Sequence, residues 1–318
     1  MDFEFSDEQR AIRDTARELL AERRAGEGLW PELVELGWAG IGIAEENGGQ
    51  GLGLVELAIL AEQLGHACAE TPFLGTALAA LAIEAGGDAA QRERCLPALA
   101  AGERGGALTL AGRRELIPDA AAGEILVVAD ADGGTGELYL EAPIEPTEAI
   151  DPRRRHGLLR PDAAAGDPLP GGVAAALDRA RVVVAAEILG LCRRALEETV
   201  AYVKERRQFG VPVGSFQAVK HAAAQMLRDT EMAAVATYYA AWSADFDAPS
   251  LPAAAAIAKA AAADAGRAVT AAAIQLHGGI GFTWEADVHW LFKRAQVDAA
   301  YLGGAASQRA RLARLTTA

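Results

Sequence analysis

The chain is poor in cysteine, aromatic residues and positive charge, and each shortage argues against something. Its three cysteines, Cys68, Cys95 and Cys192, form no CxxC pair and no Cys/His cluster at zinc spacing. No structural metal is expected, and an odd, sparse thiol count fits a reducing cytoplasm. Aromatic residues make up 6% of the chain, too few for a sandwich or barrel built from aromatic and β-branched strands. Lys and Arg total 30 against 44 Asp and Glu, a net charge of −14. That balance disfavours nucleic acid and anionic membrane as general partners. The most alanine-rich tract, 253–276, carries Lys259, Asp264 and Arg267 within it, so it reads as a soluble helix and not a membrane span. The opening MDFEFSDEQR is acidic and has no basic-then-apolar leader, which makes a cytoplasmic location the expectation.

What the chain has in plenty is alanine, 74 of 318 residues, within a hydrophobic fraction of 51%. Alanine is the strongest helix former and adds little volume, so closely packed helices are expected. Ser6 and Gln9 form a capping box that opens an amphipathic helix through Ile12, Ala16, Leu19 and Leu20. Pro31 suits the first turn of a short second helix ending at Gly37. A glycine-rich connection, WAGIGIAEENGGQGLG (38–53), leads into a helix over 54–65, and further helices are predicted at 74–85 and 89–100, the last capped by Asp88. Between 104 and 170 the texture changes to short strand-like segments at 106–110, 124–129 and 137–141, separated by Gly, Asp and Pro. Helices return at 173–206, 216–245, 252–276 and 286–313, which suggests an antiparallel bundle. The expected plan is mainly α: an N-terminal helical domain (1–103), a reduced middle β region (104–170) and a C-terminal four-helix bundle (171–318).

Two helix–helix connections stand out. The first, KERRQFGVPVGSFQAVKH (204–221), gathers Arg206, Arg207, Phe209, Phe216, Gln217, Lys220 and His221. The second, QLHGGIGFTWEADVHWLFKRA (275–295), places Gln275 at a helix end before Gly278, Gly279 and Gly281. Taken singly, they are a basic turn and a glycine C-cap. Taken together, they offer what a dinucleotide needs. A guanidinium can grip a pyrophosphate, a ring can cover adenine or ribose, and turn N–H groups can donate to phosphate. There is no GxGxxG signature of a Rossmann nicotinamide site. The five histidines show no ligand spacing.

These segments, with FSDEQRAIRDTARELL and LGWAGIGIAEENGGQGLG near the front, resemble the acyl-CoA dehydrogenases over nearly the whole chain. The resemblance implies flavoenzymes with an N-terminal helical domain, a middle β domain and a four-helix bundle. Such enzymes take a proton from the α-carbon of an acyl-CoA, pass hydride from the β-carbon to FAD, and release electrons to an electron-transferring flavoprotein. It implies that Arg206 and Phe209 contact the pyrophosphate and adenine side of FAD, and that Gln275, Gly278 and Gly279 form the Gln-x-x-Gly-Gly loop. In the family both elements act across a subunit interface, on a cofactor held mainly by a neighbouring chain, and the resemblance implies the same here. Glu45 with Gly48, Gly49 and Gly51 matches a signature whose role is a structural turn.

The departures from the family pattern are as informative. The position of the usual catalytic glutamate falls on Gly303, and that of the alternative base falls on Ala180, so no catalytic residue is assigned. Asp298, Glu285, Asp178 and Glu187 are the nearest carboxylates, and they are read as solvated helix-face charges. Asp151–Arg155 is a basic patch that could meet a CoA phosphate but is read as a solvated loop, and His277 as a residue that could line the flavin site. The middle region lacks the Thr-Glu-Pro…Gly-Ser-Asp and Trp-Ile-Thr segments with which the family holds the flavin ring. The resulting expectation is the base-lacking subunit of a heteromeric, steroid-degrading acyl-CoA dehydrogenase. It would share FAD with a paralogous partner in an α2β2 assembly and act on a bulky, steroid-derived CoA thioester. Two rivals are a homomeric dehydrogenase with another base and a non-catalytic acyl-CoA-binding scaffold.

Overall fold

A computed structural model describes residues 4–22, 28–112, 116–160 and 165–317. The first group of helices is α1 (Asp7–Glu22), α2 (Leu29–Glu35), α3 (Leu54–Ala67), α4 (Phe73–Gly86) and α5 (Ala89–Ala100). The expected capping box forms at α1: the Ser6 N–H donates to Gln9 Oε1 and the Gln9 N–H to Ser6 Oγ. Asp88 and Gln91 form a second one at α5. The 38–53 connection is a compact turn that needs its glycines. A Cβ at Gly49 would lie 2.1 Å from the Ile43 carbonyl oxygen and 2.6 Å from that of Gly40. Asp245, from a distant helix, accepts hydrogen bonds from the Leu54 and Val55 N–H groups and so caps α3.

The middle residues form β1 (Gly106–Leu110), β2 (Ile125–Ala129), β3 (Gly136–Tyr139) and β6 (Asp167–Pro168) in one sheet, with β4 (Ile144–Pro146) paired to β5 (Gly157–Leu159) in another. β1 and β2 are parallel, in register Gly106↔Ile125 to Leu110↔Ala129, and β3 and β6 add antiparallel. β1 and β2 are buried along their whole length, which explains why GALTL and ILVVA show no alternation of apolar and polar residues. β4, β5 and β6 are two or three residues long, too short for sequence periodicity to register.

The C-terminal part contains α6 (Ala174–Glu205), the ribbon β7 (Arg207–Gln208) and β8 (Val211–Pro212), α7 (Gln217–Phe246), α8 (Leu251–His277), α9 (Val288–Ala300) and α10 (Ala305–Thr317). Small residues let these helices approach closely. A Cβ at Gly65 of α3 would lie 2.1 Å from the Glu187 carbonyl oxygen, and one at Gly190 of α6 would lie 2.0 Å from that of Glu62. The two glycines therefore form a reciprocal contact at which α3 and α6 cross backbone to backbone. Along α8, Ala254, Ala255, Ala258, Ala262, Ala265 and Ala273 are buried in the main core. The low volume of alanine is what allows neighbouring helices to close on it.

One expected element is corrected. The helix predicted over 286–313 is two helices, because the chain turns sharply at Tyr301–Gly304. Leu302 and Gly303 take φ of 54° and 94°, outside helical space. The Tyr301 hydroxyl donates to the Leu108 carbonyl of β1, and Gln308 Nε2 donates to the Leu302 and Gly303 carbonyls. These bonds hold the turn, while Lys259 Nζ donates to the Asp298 and Ala299 carbonyls left open at the end of α9. No described helix is long and apolar enough to cross a membrane.

Candidate functional site

α6 ends at Arg206, whose φ of −61° and ψ of 125° leave helical space. The chain then makes a two-residue hairpin, with Arg207 opposite Pro212 and Gln208 opposite Val211. Its tip residues, Phe209 and Gly210, have φ of 51° and 80°, the two positive angles that a primed hairpin turn requires. Glycine adopts such angles readily, whereas phenylalanine does so under strain. The Phe209 side chain is 92% exposed, with only an edge contact to Phe216 at 6.3 Å between ring centroids. Arg206 is exposed as well.

At the end of α8, Gln275, Gly278 and Gly279 are all exposed. Gly278 has φ of 63° and ψ of −141°, and nothing lies within 4 Å of a Cβ placed at either glycine. Their freedom from side chains is not needed for packing inside this chain, so it is open to a group brought from outside. Phe282 and Trp284, just beyond, are 78% and 75% exposed.

The two motifs lie at the same end of the bundle. Tyr202, one turn before Arg206, stacks on His277, two residues after Gln275, with ring centroids 4.5 Å apart and planes 18° from parallel. His277 is itself buried, with Nδ1 2.7 Å from the Ala273 carbonyl oxygen. It thus supports the loop from beneath and does not line an open site, contrary to its expected placement. The residues present suit the phosphate and adenine side of a dinucleotide: a free guanidinium, an unburied ring and a glycine backbone that no side chain covers, although the Gly278 N–H is itself bonded to the Gln275 carbonyl. They form an open face. The two large cavities, about 570 Å³ and about 450 Å³, lie elsewhere, around Arg153, Arg154, Arg155 and His156 of the middle region.

The positions implied for a catalytic base are interior. Ala180 is fully buried, and Gly303 sits in the tight turn, where a Cβ would meet Gln308 Nε2 at 2.8 Å. Of the four nearby carboxylates, three are corrected from solvated to buried. Asp178 pairs with Arg181 and Arg311, while Glu187 and Asp298 meet at Arg154. Only Glu285 is exposed. The Asp151–Arg155 segment is also corrected, since Asp151 and Arg154 are buried. Arg153 pairs with Glu70 and lies over the Trp290 ring.

Composition hid this buried cluster because Asp, Glu and Arg are ordinarily exposed. The available signal was a lone glutamate inside VVVAAEILGLC (182–192) and the Arg294/Asp298 pair at i,i+4 in an apolar helix. Burial and the nearby Arg154 lower the pKa of His156 to about 4. Its ring is therefore neutral, with Nδ1 against the Arg154 carbonyl. Among the described residues no group of three or more His, Cys, Asp or Glu could hold a metal.

Comparison with known proteins identifies the family. Residues 6–103 match the family "Acyl-CoA dehydrogenase, N-terminal domain", and residues 172–316 match "Acyl-CoA dehydrogenase, C-terminal domain". The chain is 35% identical to the acyl-CoA dehydrogenase IpdE2 of Mycolicibacterium smegmatis, over 96% of this chain and 98% of that protein. It is 38% identical to IpdE2 of Mycobacterium tuberculosis, over 89% and 85%. Among solved structures, the Tcur3481-Tcur3483 steroid ACAD superposes with a TM-score of 0.86 at 31% identity, covering 98% of each chain. With a helical front, a small strand region, a helical bundle and this extent of similarity, the chain belongs to the acyl-CoA dehydrogenase family of FAD-dependent oxidoreductases.

Proposed function

We propose that this chain is the base-lacking subunit of a heteromeric acyl-CoA dehydrogenase. It contributes Arg206, Phe209, Gln275, Gly278 and Gly279 to a FAD site completed by a paralogous partner. The observation that carries this reading is an exposed face of arginine, phenylalanine and glycines on a chain whose two base positions are Gly303 and Ala180. Arg206 would pair with the pyrophosphate and Phe209 would cover the adenine side. The backbone at Gly278 and Gly279 would let phosphate approach closely, with no Cβ in the way.

Bound FAD supplies the hydride acceptor for α,β-dehydrogenation. The middle region has no counterpart of the segments with which the family holds the flavin ring, so the ring and the proton-accepting carboxylate would both come from the partner. Loss of a positioned base lowers rate by on the order of 10²–10⁴. Asp178, Glu187 and Asp298 are buried and engaged by arginines, which argues against their serving as a substitute base in a homomeric enzyme. The retained Arg206, Phe209 and Gln275–Gly279 constellation argues likewise against a pure scaffold, which would have no use for one.

The substrate is a bulky, steroid-derived CoA thioester, and electron-transferring flavoprotein is the electron acceptor. The steroid assignment is supported by the likeness to the Tcur3481-Tcur3483 steroid ACAD, which is named for two polypeptides. The α2β2 arrangement and a cytoplasmic location belong to the same reading. The test is to purify the chain alone and with a partner homologue carrying a glutamate at either base position. Flavin absorbance and dye-linked acyl-CoA oxidation are then recorded for both. Activity only in the mixture, lost on Arg206→Ala, is the expected result. A yellow, active lone chain would refute the heteromer, and absence of flavin from both preparations would favour a scaffold.

A further inference from the structure

Buried charges meet where the α3–α4 turn, the β1–β2 and β4–β5 connections, α6, α8 and α9 come together. Arg154 contacts Glu187, Asp298 at 3.1 Å and Asp119 at 3.3 Å. Arg294 contacts Asp151, Glu187 at 3.5 Å and the Ala69 carbonyl at 3.1 Å. Lys259 of α8, fully buried, donates to the carbonyls of Asp298 at 3.0 Å and Ala299 at 3.2 Å. Asp119 also accepts from the Gly75 N–H at 3.0 Å, which ties α4 to the same point.

Set side by side, the carboxylates are Asp119, Asp151, Glu187 and Asp298, and the cations are Arg154, Arg294 and Lys259. One proton balances the group, and a low-dielectric interior strongly favours balance. The nearby His156 ring is neutral and supplies no further charge. Asp298 is the natural place for the proton. It is fully buried, shares Arg154 with Glu187, and its Oδ2 has no hydrogen-bond partner.

We propose that this junction is a proton-operated latch: with a proton on Asp298 the network is balanced and clamps α6 and α9 to the β1–β2 and β4–β5 connections, and its loss leaves excess buried negative charge that loosens the clamp. Burial and the Glu187 carboxylate push Asp298 up to about 8 from an ordinary 3.8. Asp119 moves in the same direction, chiefly through burial. Asp151 goes the other way: burial alone would raise it, but Arg294 and Arg154 hold it below the ordinary range. Between about pH 4 and pH 8 the folded chain therefore keeps a proton that the unfolded chain has released. For this group the folding constant falls by up to about tenfold per pH unit across that window and levels off above it. The shift on Asp151 acts only below about pH 4. His156 and His289 are held below their ordinary range by burial, and they oppose the effect only near and below pH 6.5.

Cys68 provides a native reporter. It is 2% exposed and lies beside Arg294, whereas Cys95 and Cys192 are buried at other points in the fold. The experiment follows urea unfolding from pH 6 to 9 and, in parallel, thiol labelling of native protein resolved by cysteine, in wild type and Asp298→Asn. In wild type the folding constant should drop steeply up to pH 8. Labelling of Cys68 should rise above pH 8 faster than thiol ionisation explains, with Cys95 and Cys192 as internal references. In Asp298→Asn the slope should flatten and Cys68 should stay protected. A variant that keeps the wild-type slope, or wild-type Cys68 protection that ignores pH, overturns the latch. If the variant does not fold, proton exchange on unfolding wild type at pH 7.5 decides. Release of the larger part of a proton is expected, and none or net uptake overturns the proposal.

Discussion

Phe209→Gly separates what the fold needs from what assembly needs. In the lone chain this ring is 92% exposed at φ of 51°, so its removal forfeits little burial. The left-handed angle costs a non-glycine residue about 1–2 kcal/mol. The added freedom of glycine in the unfolded chain offsets about 0.5–1 kcal/mol of that relief. Loss of the edge contact with Phe216 removes about 0.5 kcal/mol more. The isolated chain should thus lie between about 0.5 kcal/mol less stable and about 1 kcal/mol more stable than wild type. In the proposed heteromer, covering a phenyl ring against a dinucleotide or partner would be worth about 1.5–3 kcal/mol. Flavin affinity should therefore fall by roughly 10- to 150-fold. Urea unfolding of the lone chain and flavin titration of the reconstituted pair measure the two effects. A variant less stable than wild type by more than about 1 kcal/mol, or one with unaltered flavin affinity in the pair, would refute the reasoning.

Other expectations follow from packing and capping. Gly190→Ala places a methyl 2.0 Å from the Glu62 carbonyl oxygen. It should lower stability by about 1–3 kcal/mol in urea unfolding, although alanine is the better helix former; a neutral or stabilising result would mean that α3 and α6 do not cross at that point. Asp88→Ala removes the acceptor for the Gln91 N–H at the start of α5 and should cost about 1 kcal/mol in the same assay, with Asp88→Asn largely retaining stability.

The sequence by itself determined the class of fold and the chemistry on offer. Alanine content and helical periodicity made the long helices readable, and Ser6–Gln9 and Asp88 marked helix starts because a cap is a local bond. The Arg206–Phe209 and Gln275–Gly279 segments were readable because unusual residues cluster within a few positions. Tertiary structure alone decided that these segments share one end of the bundle, through Tyr202 on His277, and that they stand open. It also broke the last helix at Leu302 and Gly303, where contacts to β1 and Gln308 outweigh local helix preference. The buried network shows the division most clearly. Asp119, Asp151, Arg154, Glu187, Arg294 and Asp298 span 180 residues of chain, and each resembles a surface charge when read alone. Only folding brings them within bonding distance, where removal from water makes pairing and a shared proton obligatory.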